Sequence, residues 1–242
     1  MGRHGKRYLD AKKAIDPDRE YEPSEAVSII KSQQLTSFDS TIEVHIRLGV
    51  NVRHAEEQLR GTISLPHGTG ADVTVAVFAE GDKAREAEQA GADVVGADDL
   101  AAKIQEGFDE FDIAIATPDM MGTVGKLGRI LGPAGKMPNP KSGTVTMDVA
   151  KAVEEVKAGK VEYRTDRAAI VHITIGKHSF PEAELLANYA AVIEEIVRVK
   201  PAATKGRYIL SISMAQTMGP GVRIDTNRTS EITEPLQEAP AA

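Results

Sequence analysis

The stretch "ADVTVAVFAEGDKAREAEQAGADVVGADDLAAKIQEGFDEFDIAIATPDMMG", residues 71–122, decides the fold. Apolar strand cores at 73–78, 93–95 and 113–116 alternate with helical patterns near 82–90 and 98–106. Short apolar strands separated by helices predict a parallel sheet with crossover connections, hence an α/β unit. Directly downstream lies "KLGRILGPAGKMPNPKSGT", residues 126–144, with four glycines, three prolines, Lys126, Arg129, Lys136 and Lys141, and no acid. A phosphate-binding loop needs a leading glycine, a Gly-Lys pair and a following Ser or Thr for the metal. Here Ile130 stands where the first glycine belongs, and Met137 follows Gly135-Lys136. The template fails twice. A strand at "GTVTM" (143–147) and a helix at "DVAKAVEEVKAG" (148–159), capped by Asp148, complete the unit.

On both sides the pattern becomes alternating. In "STIEVHIRLGV" (40–50), Ile42, Val44, Ile46, Leu48 and Val50 point one way, and Glu43, His45 and Arg47 the other. That is a strand with one face buried and one wet. Before it, "PSEAVSIIKSQQ" (23–34) reads as a helix capped by Ser24, with Ala26, Ile29 and Ile30 inward; after it, "QLRGTISLP" (58–66) reads as a second strand. Beyond Gly159, alternation returns in "KVEYRTDRAAIVHITIGK" (160–177) and in "RYILSISMAQTMGPGVRID" (207–225). Between them a long helix starts near Pro181 and buries Leu185, Leu186, Tyr189, Val192, Ile193 and Ile196. The expected architecture is therefore α+β and discontinuous. Residues 1–67 with 159–228 form one α+β domain, 68–158 an inserted, Rossmann-like α/β domain, and 229–242 a disordered acidic tail. His67, Gly68, Gly70 and Gly159 are the expected hinge positions, because glycine permits the backbone changes a hinge needs.

Composition narrows the function. The 242 residues are 41% apolar but only 4% aromatic, so the core must be aliphatic. Absence of cysteine excludes disulfides, thiolate catalysis and Cys-ligated zinc, and fits a reducing compartment. No membrane-length apolar run is present, and the basic start has no apolar segment behind it, so the expected location is cytoplasmic. The net charge of −7 divides unevenly, with +3 on 1–67 and 159–228, −7 on 68–158 and −3 on the tail. The asymmetry points to one half that faces a polyanion. The six histidines (4, 45, 54, 67, 172, 178) show no HxxxH or HExxH spacing, and no glycine fingerprint follows the first inserted strand, so neither metal nor cofactor nor enzyme activity is expected. A cytosolic, hinged two-domain binder of a small ligand or nucleotide is the alternative that composition leaves open.

Seven stretches carry a resemblance: "FDSTIEVHIRLGV" (38–50), "RGTISLPHGTG" (60–70), "AGADVVGADDL" (90–100), "FDIAIATPDMM" (111–121), "LGRILGPAGKMPNP" (127–140), "AGKVEYRTD" (158–166) and "TMGPGV" (217–222). In this order, from "HGKRY" (4–8) to about Asp225, the chain resembles the bacterial large-subunit ribosomal protein L-one family. The resemblance implies a structural constituent of the large subunit, monomeric when free, that binds 23S rRNA as the mobile stalk beside the tRNA exit site. It further implies help in releasing deacylated tRNA and repression of translation through the protein's own mRNA.

The same resemblance places Thr217, Met218 and Gly219 on the RNA. A hydroxyl, a flexible apolar side chain and bare backbone suit the shallow RNA minor groove, where 2′-hydroxyls are the handles. By resemblance Phe38 and Thr41 also face RNA, with Glu43 accepting from a 2′-hydroxyl. Arg164, Arg167, Lys177 and Lys205 supply charge, Asp166 and His172 fix geometry, and Ser211 completes the set. Lys126, Arg129, Lys136 and Lys141 are the expected tRNA contacts of the insert.

Overall fold

A computed structural model describes residues 5–227, so the expected disorder of the tail lies outside the described residues. The chain divides into two compact units, one made of residues up to Ala71 and from Val161 onward, the other of Asp72–Lys160.

The first unit begins with helix α1 (Lys6–Lys13) and helix α2 (Pro23–Ser32). Ser24 does not cap α2. Glu22 occupies the cap position without a side-chain bond, and Pro23 opens the first turn with φ already set for a helix. Strand β1 (Thr41–Leu48) is followed by β2 (Arg60–Ser64). After the insert come β6 (Lys160–Arg164), β7 (Ile170–Lys177), helix α8 (Glu182–Arg198), β8 (Ile209–Gln216) and β9 (Val222–Ile224). The sheet runs β7-β1-β8-β9, all antiparallel, while β2 and β6 form a separate two-stranded ribbon.

Alternation fixes which face is dry. Ile42, Val44, Ile46 and Leu48 of β1 join Val171, Ile173, Ile175, Ile212, Met214, Val222 and Ile224 in one cluster, closed by Ala26, Val27 and Ile30 of α2 and Leu185, Tyr189, Val192, Ile193 and Ile196 of α8. Each such aliphatic side chain contributes about 1.5–3 kcal/mol on full burial, so a one-residue slip of β1 would be prohibitive. Both helices therefore lie on one face, and the other stays open.

The second unit contains β3 (Val75–Phe78), helix α3 (Asp82–Gln89), β4 (Val94–Gly96), helix α4 (Asp98–Gln105) and β5 (Ile113–Ala116). Helices α5 (Met121–Lys126), α6 (Gly128–Ala134) and α7 (Val149–Lys157) follow. Its sheet is parallel, as the opening stretch leads one to expect, and its order is β4-β3-β5. Ala76, Phe78, Ala114 and Ala116 pack on one side with Leu100, Ile104, Val124, Leu127 and Leu131. Val75, Val77 and Ile115 pack on the other with Ala87, Val149, Val153 and Val156. Asp148 caps α7, its carboxylate accepting the Lys151 amide at 3.3 Å.

One segment that the sequence leaves unassigned takes shape here, and one expected strand shrinks. Much of 126–144 is helical, and Pro133 sits inside α6 because Leu127 and Leu131 are pulled into the core. The expected strand at 143–147 shrinks to a single parallel bridge between Ala116 and Val145. The cause is local: Asn139, Ser142 and Thr144 bind one another and their own backbone, which holds 139–144 as a turn.

Candidate nucleic-acid interface

The open face of the four-stranded sheet is built in rows. Glu43 lies between Thr174 and Ala215, His45 between His172 and Ser213, and Arg47 between Ile170 and Ser211, with Arg223 beyond Ser213. Thr174, Ala215, Ser211 and Ser213 are short, so a ligand can come close to the backbone beside Glu43, His45 and Arg47. Such a surface offers hydrogen bonds and shape more than charge.

At one end stands the Thr217-Met218-Gly219 turn. The Gly219 amide donates to the Gln216 carbonyl at 2.8 Å, closing the turn, and Met218 has φ of 64°. That left-handed conformation costs a non-glycine residue roughly 1–2 kcal/mol, yet the Met218 side chain is 76% exposed and gains no burial in return. Beneath it Gln216 is buried; its amide nitrogen donates to the Gln33 carbonyl at 2.6 Å, and its oxygen accepts from Ser40 at 3.2 Å. Gly219 is required by the protein itself, since a Cβ there would lie 2.6 Å from Gln216 Cγ.

Thr217 is placed differently from the simplest reading of a waiting hydroxyl. Its O–H donates to the Thr41 carbonyl at 3.2 Å, and its oxygen accepts the Thr41 amide at 3.1 Å. One acceptor lone pair is left for a 2′-hydroxyl. Lys177 Nζ donates to Thr41 Oγ1 at 2.9 Å, so Thr41, Lys177 and Thr217 meet in one corner. Phe38 projects beside them, 58% exposed, from a loop that Asp39 locks by accepting from the Ser179 amide and hydroxyl at 3.0 and 2.7 Å. Those bonds hold the Asp39 carboxyl below its ordinary range, the Ser179 hydroxyl being the largest cause.

At the centre, His45 Nδ1 and His172 Nδ1 are 2.8 Å apart, and His172 Nε2 lies 3.6 Å from Asp166 Oδ2. Asp166 also accepts the Ile170 and Ala168 amides at 2.7 and 2.8 Å, which lowers its pKa, the Ile170 amide contributing most. Arg164 and Arg167 flank it, and with Val52 and Gln58 they line an open cleft of about 410 Å³. Lys205 is exposed in the connection from α8 to β8, and nothing among the described residues ties it to the face. His45, Ser213, Thr174 and Arg223 were not among the sequence-derived candidates. Strand alternation points to them once the β1-β7 and β1-β8 registers are known.

Burial lowers the His45 pKa from its ordinary 6.5, His172 adds to the effect, and Glu43 opposes it. The unfolded chain therefore binds more protons than the folded one just below pH 6.5, and stability falls as the pH drops through that window. Urea unfolding at a series of pH values is expected to show a midpoint that declines on acidification, and a shallower decline in His45→Gln. Asp39, Asp93, Asp99 and Asp166, all lowered from 3.8, act only at much lower pH.

The insert's candidates do not act as one group. Lys126, Arg129 and Lys141 are exposed. Lys136 instead turns onto Asp109, 2.5 Å from its carboxylate and 4.9 Å from the Phe111 ring centre. Gly135, with φ of 75°, ends α6 rather than opening a helix, the opposite of a phosphate-loop glycine. At the expected hinges, the His67 amide donates to Asn188 Oδ1, Asn188 Nδ2 donates to the Gly68 carbonyl, and Gly70 backs onto Phe180. Gly68, Gly70 and Gly159 all have positive φ.

Residues 30–220 match the family model described as the ribosomal protein L1p/L10e family. The match takes in the parallel-sheet unit whole, together with β1, β7, β8 and the Thr217-Met218-Gly219 turn. The chain belongs to this family, and with it goes a structural, rRNA-binding role in the large ribosomal subunit.

Proposed function

We propose that the protein binds 23S rRNA through the open face of its β7-β1-β8-β9 sheet and forms the mobile stalk near the tRNA exit site. The observation that carries this reading is Met218, held exposed in a costly left-handed conformation over a buried Gln216 that is bonded to Gln33 and Ser40. Strain kept without burial marks a residue that acts on something outside the fold. Phe38, Thr41, Glu43, Arg164, Asp166, Arg167, His172, Lys177, Ser211 and the Thr217-Met218-Gly219 turn serve as the RNA surface, with Lys205 as an outlying phosphate contact. The same face takes the related element of the protein's own mRNA and so represses its translation. Lys126, Arg129 and Lys141 of the insert meet deacylated tRNA and assist its release; Lys136 is held back by Asp109. His67 and Gly68 are anchored by Asn188, so the pivots fall after Gly70 and near Gly159. The protein acts as a monomer in the cytoplasm, by binding and not by catalysis.

The test separates the two units. Replacing residues 72–160 with a short glycine linker is expected to leave affinity for a 23S stalk fragment within a few-fold of the full chain. The dependence of log affinity on log salt is expected to correspond to about three to six phosphate contacts. A linker variant that folds and binds nothing, or a slope near ten, would place the interface elsewhere.

A further inference from the structure

Of the cations that the sequence assigns to the open face, Arg164, Arg167 and Lys177 lie toward its β7 border, and none lies on β9 itself. The structure fills the β9 border from a segment outside the family match. Helix α1 is docked rather than loose: Ala11 is buried, Ile15 enters the main core, and Gln33 donates to the Ala11 carbonyl at 3.2 Å. The chain then runs along β9, where Tyr21 bridges Ile224 and the Tyr21 hydroxyl accepts the Asp16 amide at 2.8 Å. This route leaves a cleft of about 200 Å³ between α1 and the turn into β9, lined by Tyr8, Lys12, Asp16, Pro220, Gly221 and Arg223 among others.

The cleft is lined by two cations and one acid. Lys12 and Arg223 are exposed and form no side-chain bond among the described residues. The acid present, Asp16, has Oδ1 engaged by the Asp18 amide at 3.0 Å. A Cβ at Gly221 would meet no atom within 4 Å, so the backbone there is open to close approach. Arg223 ends the row that runs from His172 through His45 and Ser213, and Met218 stands in the turn just before Pro220. With strands about 4.8 Å apart, four of them set the β7 and β9 borders roughly 14 Å from each other. A centre where Glu43 offsets Arg47, between two cationic borders, fits the wide, shallow RNA minor groove, whose sugars face the middle and whose phosphates flank it.

We infer that Lys12 and Arg223 bind two neighbouring backbone phosphates of the same RNA, on the strand opposite the one met by Arg164 and Arg167. This rests on the sheet face being the RNA surface. The test uses the full chain and a 23S stalk fragment, titrated across a series of KCl concentrations. The double variant Lys12→Ala with Arg223→Ala is expected to bind about tenfold more weakly at low salt, with a salt slope shallower by about two and an unchanged melting temperature. Arg223→Lys is expected to recover about one unit of that slope when combined with Lys12→Ala. Lys13→Ala, whose ammonium is already paired with Asp10 at 2.8 Å, is expected to leave the slope unchanged. A double variant with wild-type slope overturns the cleft, as does a Lys13→Ala loss of equal size, which would mean diffuse charge. If Met218→Asp still weakens binding about a hundredfold in either case, the sheet face stands and only the cleft falls; if Met218→Asp also binds normally, both fall.

Discussion

Met218→Asp is expected to weaken binding to a 23S stalk fragment by roughly a hundredfold, about 2.7 kcal/mol. Two causes add. A carboxylate about 5 Å from each of two phosphates, in surroundings close to water, costs about 0.8 kcal/mol apiece. The lost apolar contact of a methionine laid on the RNA accounts for about 1 kcal/mol more. Stability is expected to hold, because Met218 is 76% exposed and its φ of 64° suits Asp at least as well as Met. Met218→Gly sharpens the contrast: it relieves the backbone, so melting rises or stays level while RNA affinity still drops. Gel-shift titrations beside melting curves check both. Wild-type binding by Met218→Asp would remove the turn from the interface. Thr217→Val is a less clean probe than its exposure suggests. It breaks two bonds to Thr41 as well as any bond to RNA, so stability and affinity fall together.

The largest stability effect is expected at Asn188, which is fully buried. Its side chain accepts the His67 amide at 3.1 Å and donates to the Gly68 and Ile175 carbonyls at 2.9 and 2.7 Å. Ile175 is the residue skipped where β1 and β7 slip register, with Ile42 facing Gly176 and Glu43 facing Thr174. Its carbonyl therefore looks to the side chain of Asn188 for a partner. Asn188→Leu keeps the size but strands three backbone groups, at about 1–3 kcal/mol for each that stays dry. With part of the 67–68 segment rehydrated, the expected loss is about 3–5 kcal/mol, or roughly 8–15 °C in melting temperature. Calorimetry of the full chain reads it directly. A change below about 1 kcal/mol would mean that water replaces the amide without penalty.

How much of this the sequence discloses depends on how local each cause is. The buried face of β1 and the parallel pairing of β3, β4 and β5 follow from periodicity, and the Asp148 cap from one side chain. Helix α6 is hidden because Gly132 and Pro133 argue against a helix, and only packing of Leu127 and Leu131 against a remote sheet overrules them. Helix α1 is hidden for the opposite reason: one buried residue, Ala11, is too little apolar signal for a stripe. The interface divides in the same way. Phe38, Thr41 and Thr217-Met218-Gly219 come through resemblance, whereas the contact of His45 with His172 needs a register between residues 127 positions apart. Lys136 reads as a free cation because its partner, Asp109, lies on another part of the chain.

The placement of β1 between β7 and β8 has a consequence for biosynthesis. Thr41 pairs with Lys177, 136 positions later, so both hydrogen-bonding edges of β1 emerge from the ribosome long before either neighbour is translated. The parallel-sheet unit, whose strands lie close together in the chain, is complete while β1 still waits. Loop closure over such a separation slows folding, and an unpaired apolar strand invites association with other nascent chains. Pulse-labelled hydrogen exchange during refolding is therefore expected to protect Val75–Phe78 before Thr41–Leu48.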